Sequence, residues 1–167
     1  GELARELGSP KPACPRPDPA MARFVNDHEI GHFITMAAGL READQSAEEL
    51  FVNSYREEVR ADGFATVRAI LRGDDHVVDW NAQRRDHNLL IHGDEAHWTT
   101  TTLGAFRALG EELREQGFGV DDVEPVALMR RCAELTREHA LDDDALLDIN
   151  RGRMNLLQAE PVTPRSE

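Results

Sequence analysis

Residues 26–35 read NDHEIGHFIT, which sets His28, Glu29 and His32 in the order His-Glu-x-x-His. On an α-helix, side chains four apart lie one above the other on one face. His28 and His32 can therefore aim a ring nitrogen at a common point, with Glu29 standing beside the pair. In a chain of this composition such a pattern is expected by chance about 0.03 times, so the flanking sequence has to decide between a site and a polar patch. Two things matter: whether the stretch is helical, and whether a second element brings an acid to the histidines.

Helix signals flank the stretch on both sides. Asp18-Pro19 reads as N-cap and first helical residue, and Gly39 as the residue just past the C-terminus, so a helix is predicted over 19–38. Its apolar positions include Met21, Phe24, Val25, Phe33, Ile34 and Met36, and Gly31 allows a neighbour to come close. Ser46, with Glu49 three residues later, opens a second helix that runs through EELFVNSYREEVRADGFATVRAILRG to Gly73. Gly63 inside that helix costs about 1 kcal/mol relative to alanine, and such a glycine marks close packing.

If the two helices pack antiparallel, Glu58 reaches the point where His28 and His32 converge. Asp62, one turn later on the same face, can accept a hydrogen bond from one of the histidines. Glu57 competes with Glu58 for that place. Two histidines and a carboxylate are the three protein ligands of a catalytic zinc ion, which keeps its remaining position open. Zinc brings the pKa of a coordinated water to about 7, and a glutamate in the position of Glu29 takes the proton as the hydroxide attacks a carbonyl.

The words HEIGH and, further on, EVRADGFA carry a resemblance. Their arrangement resembles the gluzincins, in which the third ligand is a glutamate with an aspartate four residues later. It is most similar to the ImmA/IrrE-type metallopeptidases, where HExxH is followed by a Glu-x-x-Ala-Asn/Asp-x-Phe-Ala helix. The resemblance covers about residues 20–72. It implies a Zn²⁺ cofactor held by His28, His32 and Glu58, with Glu29 as general base and a protein or peptide as substrate. Members of those families place a small β-sheet before the HExxH helix, and its edge strand binds the substrate peptide; here a Pro-rich arm stands in that place. ImmA/IrrE-type proteins also act in regulation by cleaving a repressor. The resemblance thus leaves a second reading, a regulatory or interaction protein whose metal is structural or vestigial.

Beyond the second helix the pattern weakens. Residues 74–98 show no sustained period yet hold four of the seven histidines and both tryptophans, and read as an irregular region with at most a short helix near 79–90. Among His76, His87, His92 and His97, the last is the best candidate to stabilise the oxyanion of a tetrahedral intermediate, because Trp98 and a Thr-rich helix start follow it. His92 and His97 are also alternatives to Glu58 as third ligand. Arg84 and Arg85 could clamp a carboxylate. Trp80 and Trp98 could line a pocket, although core packing is the more ordinary reading. Further helices are predicted at about 100–116, 122–139 and 142–157, the last with Asp142-Asp143-Asp144 as N-cap and first-turn acids.

Composition narrows the class. The 167 residues suffice for one domain with a real core, and 40% hydrophobic with 31% charged residues is a globular balance. A net charge of −13 argues against a general nucleic-acid or anionic-membrane binder. No run approaches the roughly 20 apolar residues of a membrane helix. Cys14 and Cys132 are too far apart in sequence and context to suggest a disulfide scaffold or a cysteine zinc site, which favours a reducing, cytoplasmic setting. Five of the eight prolines fall in 8–19, so residues 1–18 read as an arm, 19–157 as one helical domain and 158–167 as a tail. The expectation is a mainly α-helical, zincin-like domain with little or no sheet, acting as a zinc metallopeptidase.

Overall fold

The computed structural model describes residues 18–43 and 46–158. Six helices make up the described residues: α1 (Pro19–Ala37), α2 (Ala47–Arg72), α3 (His76–His92), α4 (Leu103–Glu115), α5 (Pro125–His139) and α6 (Asp143–Gln158). Two short 3₁₀ turns, Glu95–His97 and Thr100–Thr102, join α3 to α4. No strand occurs among the described residues, as expected of a mainly α chain. The predicted Pro-rich arm, Asp18 apart, and all of the predicted tail but Gln158 lie outside them. No described helix is long and apolar enough to cross a membrane.

Helix α2 is the axis of the fold. Every residue from Val59 to Val67 is buried, so neighbours cover it all round. α1 returns along it antiparallel, and the two backbones nearly touch: a Cβ on Gly31 would stand 3.0 Å from the Cα of Ala61. The same device recurs on the opposite side, where a Cβ on Gly63 would meet the Phe106 ring of α4 at 2.5 Å. The main core gathers Tyr55, Val59, Phe64 and Val67 of α2 with Phe106, Met129, Cys132 and Leu146. A second cluster joins Ala20 and Phe24 of α1 to Ala65, Ala69 and Ile70 of α2 and to Val77 and Val78 of α3.

Ends of helices follow the sequence signals. Asp18 accepts from the Ala20 amide at 2.8 Å, Ser46 from the Glu49 amide at 3.1 Å, and Asp142 from the Ala145 amide at 2.8 Å. Each satisfies one of the donors a helix start leaves open. Asp18 also meets His76 Nε2 at 2.8 Å, which holds the start of α1 to the start of α3. α5 begins at Pro125 rather than near 122, because Glu124 accepts from both the Val126 and Ala127 amides and proline fits the first turn.

The main correction concerns residues 74–98. They hold a continuous 17-residue helix, α3, where an irregular region was expected. Its buried positions are Val77, Val78, Asn81 and Arg85, and its exposed positions include the apolar Leu90 and Ile91, at 81% and 63%. With polar groups inside and apolar groups outside, the hydrophobic period disappears. Trp80 is half-buried and packs against the second core cluster, and Trp98 donates to Asp86 Oδ1 at 3.1 Å.

Candidate metal centre

Helix α1 turns an unusual face towards α2. Its buried residues are Ala20, Phe24, Asp27, His28, Gly31 and Thr35. Asp27 fixes the rotation of that face: Arg68 reaches its Oδ1 at 3.0 Å, and Arg72 holds its other oxygen. The Gly31–Ala61 contact fixes the spacing. Together they bring the imidazoles against the first half of α2, where Glu58 lies.

His28 Nε2 and His32 Nε2 are 3.2 Å apart. Glu58 Oε2 is 3.4 Å from the first and Oε1 is 3.4 Å from the second. Among the described residues these three form the only group of histidine, cysteine and acid ligand atoms close enough to share a metal ion. Zinc with nitrogen and oxygen ligands at about 2.0–2.1 Å in a tetrahedron sets neighbouring ligand atoms about 3.3 Å apart. The three donors fit that edge length, and their types suit zinc.

Below the donors lies a polar layer that sequence reasoning caught only in part. His28 Nδ1 sits 2.8 Å from Asp62 Oδ1, close but poorly directed for a hydrogen bond. Asp62 is 4% exposed and is gripped by Arg85, which donates Nε to Oδ2 and Nη2 to Oδ1, both at 2.9 Å. Thr99 adds its hydroxyl to Oδ2 at 2.5 Å. Burial pushes the Asp62 carboxyl up, but His28 and Arg85 outweigh it and hold the group well below the usual carboxylate range. Arg85 also reaches Glu58 Oε2 at 3.3 Å. It is therefore a buried support beneath the site, whereas the sequence pairs it with Arg84 as a clamp for a ligand.

His97 enters from the 3₁₀ turn. Its Nε2 is 3.4 Å from Glu58 Oε2, and its Nδ1 pairs with Asp94 Oδ1 at 2.7 Å. The turn is tied down by Arg153 of α6, which donates to the buried Glu95 at 2.6 Å. Contact with Glu58, opposed by burial and reinforced by Asp94, pushes the His97 imidazolium up to about 9. Hydrogen bonding to Glu58 likewise raises His32. Glu58 itself is raised by burial and lowered more by His32 and His97, so it stays ionised far below neutral pH.

These groups open onto a cavity of about 300 Å³ whose wall includes His28, Glu29, His32, Glu58, Arg84 and His97. Glu29 is exposed on that wall. The other candidates stand elsewhere: Glu57 lies 3.5 Å from Arg41, and His76, His87 and His92 are exposed. Once α3 is known to be a helix, Arg85 falls two turns after Val77 on its inward stripe. Comparison with known protein families, characterised proteins and solved structures finds no match to this chain.

Proposed function

We propose that this chain is a zinc-dependent peptidase with a zincin-like helical core of the gluzincin kind. One observation carries the reading: three donors of zinc-ligand type converge at tetrahedral spacing, with a second acid, Glu29, beside them on one solvent-connected cavity.

His28, His32 and Glu58 would hold the ion, which supplies Lewis acidity and an acidified water. Asp62 stands against His28, and Arg85 with Thr99 holds Asp62 there, which would orient the ligand histidine before substrate arrives. Glu29 takes the proton from the attacking water as the oxygen adds to the scissile carbonyl. It then gives that proton to the departing amine, and peptide plus water become an acid and an amine. His97, on the wall of the same cavity, would donate a hydrogen bond from its Nε2 to the carbonyl oxygen as negative charge grows there.

Metal analysis and Glu29→Gln test the proposal together. Purified protein should carry one zinc per chain. Glu29→Gln should keep that zinc and lose about 10²–10⁴-fold in peptide hydrolysis, the usual worth of a general base. Absence of stoichiometric zinc, or hydrolysis that survives Glu29→Gln, defeats the reading.

A second reading, an interaction protein with a structural metal, draws on the exposed Val25, Ile30, Phe33 and Met36 of α1. It requires His97 to close the ion's remaining position. In that case His97→Ala weakens zinc binding, whereas in a peptidase it leaves zinc binding intact and lowers turnover.

A further inference from the structure

We propose that Arg84 forms a carboxylate subsite on the wall of the metal-centre cavity, so that the chain acts on peptides presenting either a free C-terminus or an acidic side chain at that point. The proposal rests on the peptidase reading of the cavity, and its test keeps the two apart.

The observation is a contrast between neighbouring arginines. Arg85 is buried and committed to Asp62 and Glu58. Arg68 and Arg72 are committed to Asp27. Arg84 lines the same cavity as the candidate ligands, yet none of its partners among the described residues is a carboxylate. Its Nη2 donates to the Asn81 side-chain oxygen at 3.1 Å, its guanidinium lies 5.3 Å from the centre of the Trp80 ring, and its Nε is buried with no partner. The stacking and the amide hold the head in place; the charges of Asp62 and Glu58 act on it from a distance, and no carboxylate bonds to it among the described residues.

Such an arrangement is costly in the resting protein. Desolvation, with like charge from Arg85 second, lowers the Arg84 guanidinium from its ordinary value. An arriving carboxylate counters the Arg85 charge, offsets the desolvation with charge-assisted hydrogen bonds and meets a planar, pre-oriented donor. The chain carries a net charge of −13, which repels acidic ligands at long range, so their capture needs a built cation. In a larger cavity of about 760 Å³, the two better-buried arginines are already committed, and the third, Arg137, is exposed. There Arg56 is held by Asp143 at 2.7 Å, and Arg60 donates to the Leu40 carbonyl at 2.7 Å.

Three peptides of one sequence make the test: one with a C-terminal carboxylate and a glutamine, one with a C-terminal amide and a glutamate, one with the amide and the glutamine. Zinc-loaded wild-type protein should show KM about tenfold lower for at least one of the acids than for the neutral peptide, the worth of one good charge-assisted contact. Which acid gains identifies the source of the carboxylate. In Arg84→Gln the ratio should fall to about one, and Arg84→Lys should recover part of it, since the point charge returns without the fork. Thermal melting confirms that both variants fold. Equal KM for all three peptides, or a preference that persists in Arg84→Gln, overturns the proposal. Calorimetric binding of the same peptides, which needs no turnover, separates the two readings. Arg84-dependent preference without hydrolysis removes the peptidase and keeps the subsite. Hydrolysis without acid preference does the reverse.

Discussion

Helices α1 and α5 are similar in length and both lie against α2, yet they are built on opposite plans. α5 buries Leu128, Met129, Cys132, Ala133, Leu135 and Thr136 and exposes Arg130, Arg131, Glu134, Arg137 and Glu138. α1 buries Asp27 and His28 beside Phe24 and small residues and leaves Phe33 67% exposed, with Met36 and Ile30 also outside. Polar groups inside are a loss for folding unless each is partnered. α1 finds those partners on α2: Arg68 and Arg72 for Asp27, and Glu58 and Asp62 for the histidines. A helix that reverses the usual pattern and meets the cost with a dedicated network is where function is expected.

Mutations can break or sharpen this contrast, and their effects should fall in a definite order. Asp62→Asn strikes the network under α1 and leaves Arg85 buried without its full counter-charge. It should cost about 3–5 kcal/mol of stability and weaken zinc binding about 10–100-fold, read by denaturant melts and by metal titration. Its acid dependence is a second check. The folded-state pKa lies below the unfolded one, so the stabilisation is full above about pH 4 and is lost as pH falls further. Asp62→Asn should remove that part of the acid slope.

Met129→Ala strikes the apolar plan of α5 instead. It should cost about 2–5 kcal/mol through a core cavity while zinc affinity stays as in the wild type. Gly63→Ala forces the Phe106 ring of α4 away from α2 and should cost about 1–3 kcal/mol. Phe33→Ser, on the outward face of α1, should change stability by at most about 0.5 kcal/mol, which a thermal melt reads directly. A large loss there would mean that the outward apolar face of α1 is covered in solution and that the contrast with α5 is smaller than the structure suggests.

The contrast also explains what could be read from the sequence. The caps Asp18 and Ser46 and the stop at Gly73 are local chemistry, and local chemistry is legible. His28, His32, Glu58 and Asp62 were legible because helical spacing puts each pair on one face, and one antiparallel step brings the faces together. Cys132 is buried, with burial pushing its thiol up to about 12. Helix α3 was missed for the same reason that α1 is informative. Its inward stripe carries Asn81 and Arg85, so apolar periodicity could not reveal it, although Gly93 just past His92 was an available stop signal. The partition between Arg84 and Arg85 was also out of reach, because adjacent residues point about 100° apart and only the neighbouring helix decides which one meets an acid.

A helix lying on a neighbour keeps two loose motions, sliding along its axis and rolling about it. In α1 the Gly31 contact with Ala61 stops the slide, since the backbones already touch. The grip of Arg68 and Arg72 on Asp27 stops the roll. A roll by one residue is about 100°, enough to carry both imidazoles out of reach of Glu58 and into water. Asp27 therefore acts as an indexing pin: one place before His28, it sets the angle at which the whole site faces its partners.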